Sequence, residues 1–163
     1  MKNIILIGMM GSGKTTVGQL LAGRLKKTLV DTDRLIAARE GLTVSEIFAV
    51  QGEDYFRALE VGVAQGLSLR QDLIITCGGG LPLRETAMAP LKESGMVFWL
   101  NRDAGEIYDQ ESMEDRPLAQ GGREAFLARA AQREEVYRRW ADVEITDFTS
   151  PISTAARVRE GLK

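Results

Sequence analysis

The 163-residue sequence contains no histidine. That absence removes a serine-protease triad and every His-ligated metal site. Cys77 is the single cysteine, so no disulfide can form within the chain. A disulfide-stapled secreted scaffold is excluded, and a reducing cytoplasm is the expected compartment. No apolar run approaches the roughly 20 residues of a membrane-spanning helix, so no membrane partner is expected. The opening MKNIILIGMMGSGKTT has the look of a signal peptide, but its apolar run is short and Gly-Ser-Gly-Lys stands where a cleavage site would be. Charge of one sign is lacking too. Lys and Arg number 21 against 23 Asp and Glu, a net charge of −2. A dedicated nucleic-acid binder usually carries a basic face, so no nucleic acid is expected as partner.

What is present fits one soluble domain over residues 1–163. Apolar residues make up 44% and charged residues 27%, the balance of an ordinary globular protein. A chain of this length buries about two-thirds of its unfolded surface and needs no staple. Short apolar runs alternate with helical spacing. Strands are predicted at Asn3–Gly8, Leu29–Asp31, Asp72–Thr76, Met96–Leu100 and Asp142–Thr146. Helices are predicted at Lys14–Lys27, Arg34–Glu40, Thr43–Val50, Glu53–Leu69, Arg84–Ser94, Ala104–Gln110, Glu124–Arg139 and Ile152–Leu162. Thr43 followed by Glu46 predicts a capping box. Glu111–Gly122 is polar, with Pro117, Gly121 and Gly122, and reads as a mobile loop. Alternating strands and helices imply an α/β fold with a parallel sheet covered on both faces. No signal decides an oligomeric state, and a monomer is the default.

Gly8-Met-Met-Gly-Ser-Gly13-Lys14-Thr15 matches the G-x-x-x-x-G-K-[ST] phosphate loop, and it lies between a predicted strand and a predicted helix. The glycines let the backbone wrap an anion with its N–H groups pointing inward. The next helix offers its positive end to the β-phosphate. Lys14 reaches the β- and γ-phosphates, and the Thr15 hydroxyl is a Mg²⁺ ligand.

Three further stretches bear on the phosphate acceptor. Asp31-Thr32-Asp33 ends the second strand. Residues i and i+2 of a strand share a face, so both carboxylates are expected together at its carboxyl end. One would hold Mg²⁺ through water, and the other would accept or orient a hydroxyl proton. Arg57 offers a planar fork to a carboxylate, or else it pairs with Glu53 or Glu60 along its helix. Gly78-Gly79-Gly80 gives a ligand close approach to backbone N–H groups, or is a tight turn. Cys77 beside it reads as a small buried apolar residue.

With these residues the sequence resembles the shikimate kinase family over nearly its whole length. The matching stretches are Gly8–Gly18, Asp31–Asp33, Gly41–Glu60, Gly78–Gly80, Arg116-Pro117-Leu118 and Arg133–Tyr137. Gly-x-x-Val-x-Glu-Ile-Phe leading into Gly-Glu-x-x-Phe-Arg-x-x-Glu is the most specific. The resemblance implies a three-layer P-loop kinase fold, a five-stranded parallel sheet flanked by helices, and a lid over about 111–122. It implies transfer of the ATP γ-phosphate to the 3-hydroxyl of shikimate, with Mg²⁺, on the route to chorismate and aromatic amino acids. Gly11, Ser12, Gly13, Lys14, Thr15 and Thr16 would hold ATP, with Arg116 and Ser150. Thr15 and Asp31 would serve the metal. Asp33, Arg57, Gly79, Gly80 and Arg133 would bind shikimate. Lys14, Asp33 and Arg116 would carry the chemistry.

The chain departs from the family pattern in three places. Asp109 or Gln110 stands where many relatives carry an arginine before the lid. Arg133-Glu-Glu-Val-Tyr137 lacks the usual proline, and Arg129 and Arg138 lie close by. Cys77 replaces a more usual threonine. Rival readings are a gluconate kinase of the same fold, a catalytically silent nucleotide-dependent module, and a nucleic-acid-acting NTPase. Lys14, Asp33 and Arg57 are all retained, against the second, and size and acidic balance count against the third.

Overall fold

The structure is a computed structural model and describes residues 2–110 and 121–163. Five strands, β1 (Asn3–Ile7), β2 (Thr28–Asp31), β3 (Leu73–Thr76), β4 (Gly95–Leu100) and β5 (Val143–Ile145), form one sheet in the order β2-β3-β1-β4-β5. Every pairing is parallel. Among the described residues the eight α-helices are α1 (Lys14–Leu25), α2 (Thr32–Glu40), α3 (Val44–Gln51), α4 (Glu53–Ser68), α5 (Glu85–Ser94), α6 (Ala104–Gln110), α7 (Gly122–Trp140) and α8 (Pro151–Gly161). A short 3₁₀ turn at Leu81–Leu83 was not expected from the sequence.

The period of two in β1 explains the three layers. Ile4 and Leu6 pack in one cluster with Val17 and Leu21 of α1 and Ala155 and Val158 of α8. Ile5 and Ile7 pack in the other with Phe56 and Val63 of α4, Met88 and Leu91 of α5, and Phe126 and Tyr137 of α7. A strand buried on both faces calls for apolar residues, which Ile4–Ile7 supply, while buried Asn3 donates to Arg70 O and Ser94 Oγ and accepts from the Leu73 amide. Gly18 lets α1 approach the sheet. A Cβ there would come 2.8 Å from Leu29 Cδ1 and 3.0 Å from Thr76 Cγ2.

Most boundaries lie within two residues of the sequence expectation, and the capping box at Thr43 and Glu46 is formed. Two expectations need correction. Asp33 is not on a strand: α2 begins at Thr32, because the Asp31 side chain accepts a hydrogen bond from the Arg34 amide and caps the helix there. The loop expected to run to Gly122 ends sooner, since Gly122 already opens α7 after Gly121 turns with φ 99°. Residues 111–120, with Arg116 and most of the expected lid, lie outside the described residues.

β1 sits between β3 and β4, and its flanking connections leave toward opposite sides. The crevice at the carboxyl ends of these strands is where ligands bind in sheets of this kind. It receives the turn after β1, the end of β2, the glycines after β3 and the residues after β4.

Candidate active site

The turn from β1 to α1 has the shape an anion cradle requires. Gly11 and Gly13 take φ of 79° and 99°, conformations that side-chain-bearing residues rarely adopt. At Gly8 a Cβ would meet Leu100 O at 2.8 Å. Lys14 Nζ donates to the carbonyls of Gly8 and Met9 at 2.7 and 2.8 Å, which holds the ammonium over the loop. Ser12 Oγ is buried beside the loop without a partner. A cavity of about 240 Å³ opens here, lined by the loop together with Asp31, Asp33 and Cys77–Gly79.

Thr15 Oγ1 and Thr76 Oγ1 both donate to Asp31 Oδ2, at 3.1 and 3.0 Å. An alcohol and a carboxylate therefore stand together at the start of α1, a hard-oxygen donor pair that suits Mg²⁺. Two donors leave most of its octahedron to phosphate oxygens and water. Asp33, one position into α2, turns to the same cavity. It comes so near the glycine run that a Cβ on Gly78 would lie 2.5 Å from its Oδ1. The two acidic residues thus share a cavity as expected, but by a helix start and not by strand alternation.

The guanidiniums close the far side. Arg57 is 4% exposed. Its Nη1 donates to Glu60 Oε1 at 2.6 Å, and its Nε and Nη2 to Glu53 Oε2 at 3.3 Å. Both intrahelical pairings weighed from the sequence are real, but they do not make Arg57 a surface residue. They fix it inside, its guanidinium against Gly80, where a Cβ would lie 2.5–2.7 Å from its atoms. Glu60 is fully buried, and burial pushes its carboxyl up to about 7 against the opposing pull of Arg57. Arg133 of α7 is also buried, and its Nη1, without a partner, stands 3.2 Å from where a Gly79 Cβ would be. The two guanidiniums thus take the space that any side chain at 79 or 80 would fill.

Tyr137 and Trp140 lock this arrangement. Tyr137 Oη donates to Gly79 O at 2.6 Å and lies 3.6 Å from Met9 Sδ. Trp140 Nε1 donates to Pro82 O at 3.0 Å. Burial raises the Tyr137 phenol to about 12 and pushes the Cys77 thiol up as well, so Cys77 is an apolar filler and not a nucleophile.

A second groove lies across the phosphate loop, lined by Ser12, Thr16, Arg102, Phe148, Ser150 and Pro151 among others. Ser150 caps α8 by accepting from the Ser153 amide, which commits its oxygen to the fold while it walls the groove. Arg102 escaped the sequence reading. Its Nη1 donates to Gly11 O at 3.0 Å and its Nη2 to Gln110 Oε1. It brings a guanidinium to the loop in a chain that lacks the usual arginine at 109 or 110. The only signal was its place just after β4, at the ligand edge of the sheet.

The shikimate kinase family model matches residues 10–162. A shikimate kinase of Symbiobacterium thermophilum is 41% identical over 99% of this chain and 96% of its own. One from Moorella thermoacetica is 39% identical over 99% and 94%. The shikimate kinase of Acinetobacter baumannii, solved in complex with shikimate, superposes with a TM-score of 0.89 at 32% identity, over 99% of this chain and 91% of that one. A gluconokinase from Sinorhizobium meliloti reaches 0.60 at 15% identity and so shares the fold alone. A phosphate loop facing buried arginines is common ground with many kinases; likeness of this degree along the full chain is not, and the protein belongs to the shikimate kinase family.

Proposed function

We propose that the chain, as one domain over 1–163, transfers the γ-phosphate of ATP to the 3-hydroxyl of shikimate, giving shikimate 3-phosphate and ADP. The observation that carries this reading is one cavity holding Lys14, Thr15, Asp31 and Asp33, with Arg57 and Arg133 packed against its glycine wall. Shikimate is a small carboxylate with three hydroxyls. It asks for guanidinium, carboxylate and backbone donors, and these are what the wall supplies.

Phosphoryl transfer through a loose transition state needs positioning and charge neutralisation more than covalent help. Gly11 to Thr16 bind the phosphates through loop amides and the start of α1. Lys14 leaves the Gly8 and Met9 carbonyls to neutralise charge at the β- and γ-phosphates. Thr15 directly, and Asp31 through water, would hold Mg²⁺, which supplies further neutralisation when bound. Asp33 aims the attacking hydroxyl and takes its proton. Arg57 and Arg133 clamp the carboxylate, with Gly79 and Gly80 backbone alongside. Ser150 walls the nucleotide groove. Arg116 completes the charge around the γ-phosphate, and closure over 111–122 excludes water that would turn the enzyme into an ATPase.

The protein works as a monomer in the cytoplasm, where ATP is supplied. Its exposed large apolar residues, such as Val50, Leu69 and Ile152, are spread over different elements. Among the described residues no helix is long and apolar enough to cross a membrane. ADP release from ATP–Mg²⁺, with shikimate and then gluconate as acceptor, is the direct test. Release that shikimate does not stimulate, or that gluconate stimulates better, would sink the reading.

A further inference from the structure

Arg129 stands one helical turn before Arg133 on α7, so both guanidiniums lie on one face of the helix. The mechanism above uses Arg133 and leaves Arg129 idle. Yet Nη1 of Arg129 is buried without a hydrogen-bond partner, as is Nη1 of Arg133. Among the described residues no carboxylate forms an ion pair with either. Burial lowers Arg129 from the ordinary arginine range, and the Arg133 charge lowers it further, while Glu53 acts the other way. Arg129 is thus within electrostatic reach of both Arg133 and Glu53. Glu53 in turn holds Arg57 through Oε2.

Arg129 thus shares a face of α7 with Arg133, whose Nη1 reaches the glycine turn that also holds Arg57. Glu60 Oε1 is taken by Arg57 at 2.6 Å, Glu60 Oε2 is buried without a hydrogen-bond partner, and Glu53 is largely exposed. Two like charges four residues apart repel, and a buried donor without an acceptor is costly. Both penalties fall if an anion arrives beside Arg129 and Arg133. A planar carboxylate that already has forks from Arg57 and Arg133 has lone pairs left for a third donor.

We propose that Arg129 is a third guanidinium for the acceptor's carboxylate, and that it sets how strongly this enzyme prefers a carboxylate acceptor to a neutral one. The proposal rests on the reading of the site as a carboxylate clamp. Arg129 contributes to acceptor binding and not to the transfer step, because it neighbours Arg133 along α7 and, like Arg133, does not line the cavity around Lys14.

The test compares kcat/KM for shikimate and for its methyl ester in the wild type, Arg129→Gln and Arg129→Lys. The partly exposed position and the good helix propensity of Gln make both variants foldable, and a melting curve checks it. Arg129→Gln should raise KM for shikimate about tenfold, the worth of one charge-assisted hydrogen bond, with kcat and the KM for ATP held. The ester should be used by Arg129→Gln as by the wild type, and Arg129→Lys should recover part of the loss. An unchanged KM for shikimate would overturn the proposal. So would an equal loss for acid and ester, which would place Arg129 in the fold or on the nucleotide. If the wild type itself uses acid and ester equally, the carboxylate clamp fails, and Arg129's role with it.

Discussion

At the scale of single residues, the site is a set of groups held where they would not choose to be. Lys14 is the simplest. It occupies two loop carbonyls at hydrogen-bond distance, bonds it would give up on the proposed reading to reach a phosphate. Lys14→Ala should lower kcat by about 10²-fold or more, read from ADP release at saturating ligands. Glu60 is less simple. Its carboxyl is fully buried and pushed up to about 7 from an ordinary 4.5, chiefly by burial. A raised folded value means that the folded state binds the extra proton between those two pH values. Stability from this group is present below the unfolded value and is lost as pH rises through the folded one. The unfolding free energy of the wild type should therefore carry a falling component between pH 4.5 and 7. Glu60→Gln should lack it, and denaturant melts of both proteins across that window check the difference. A parallel slope in the two proteins would refute the assignment. The pairing of Arg57 with Glu60 could be read from the i, i+3 spacing; its burial could not, because that depends on α7 and the glycine turn closing over it.

At the scale of elements, one residue does two jobs at the start of α2. Asp31 caps the helix through Oδ1 and receives Thr15 and Thr76 at Oδ2. Asn caps about as well as Asp, so Asp31→Asn separates the roles. Its melting temperature should stay within roughly 2 °C of wild type, since a retained cap costs well under 1 kcal/mol. The Mg²⁺ needed for half-maximal activity should rise, as a neutral amide replaces a carboxylate. A large loss of stability with unchanged Mg²⁺ demand would reverse the reading. The same element shows where sequence reasoning failed. Alternation along an extended strand put Asp31 and Asp33 on one face, and the conclusion held while its reason did not. A cap that draws the helix back by two residues is invisible unless the acceptor role of the Asp31 side chain is considered. The phosphate loop was legible throughout because its chemistry is local: seven intervals from Gly8 to Thr15 contain all the needed parts.

At the scale of the whole molecule, the strand and helix rhythm was enough to give the parallel three-layer sheet, and the apolar alternation in β1 explains why both faces are covered. Arg102 was not legible, nor was the docking of Tyr137 and Trp140. Arg102 meets Gly11 across 91 residues of sequence, and Tyr137 meets Gly79 across 58. Such contacts have no periodicity to reveal them. On the proposed reading both ligands bind the folded chain at the seam that these contacts close, so each should stabilise it by mass action. At a hundredfold excess over Kd, either ligand should add about 2.7 kcal/mol, a rise in Tm of roughly 5–10 °C for a domain of this size. Thermal melts with shikimate alone, ATP–Mg²⁺ alone and neither will check this. A chain that melts alike in all three would not have the folded site described.

The phenol of Tyr137 touches Gly79 O on one side and Met9 of the phosphate loop on the other. On the proposed reading, a guest settling against the glycine turn would press on the host of its co-substrate. Thermodynamic reciprocity then makes the traffic two-way: whatever factor one guest imposes on the other's affinity is returned in full. Tyr137→Phe removes this hydroxyl while keeping the ring, and in that variant the factor that each guest imposes on the other should shrink toward what their shared cavity alone transmits.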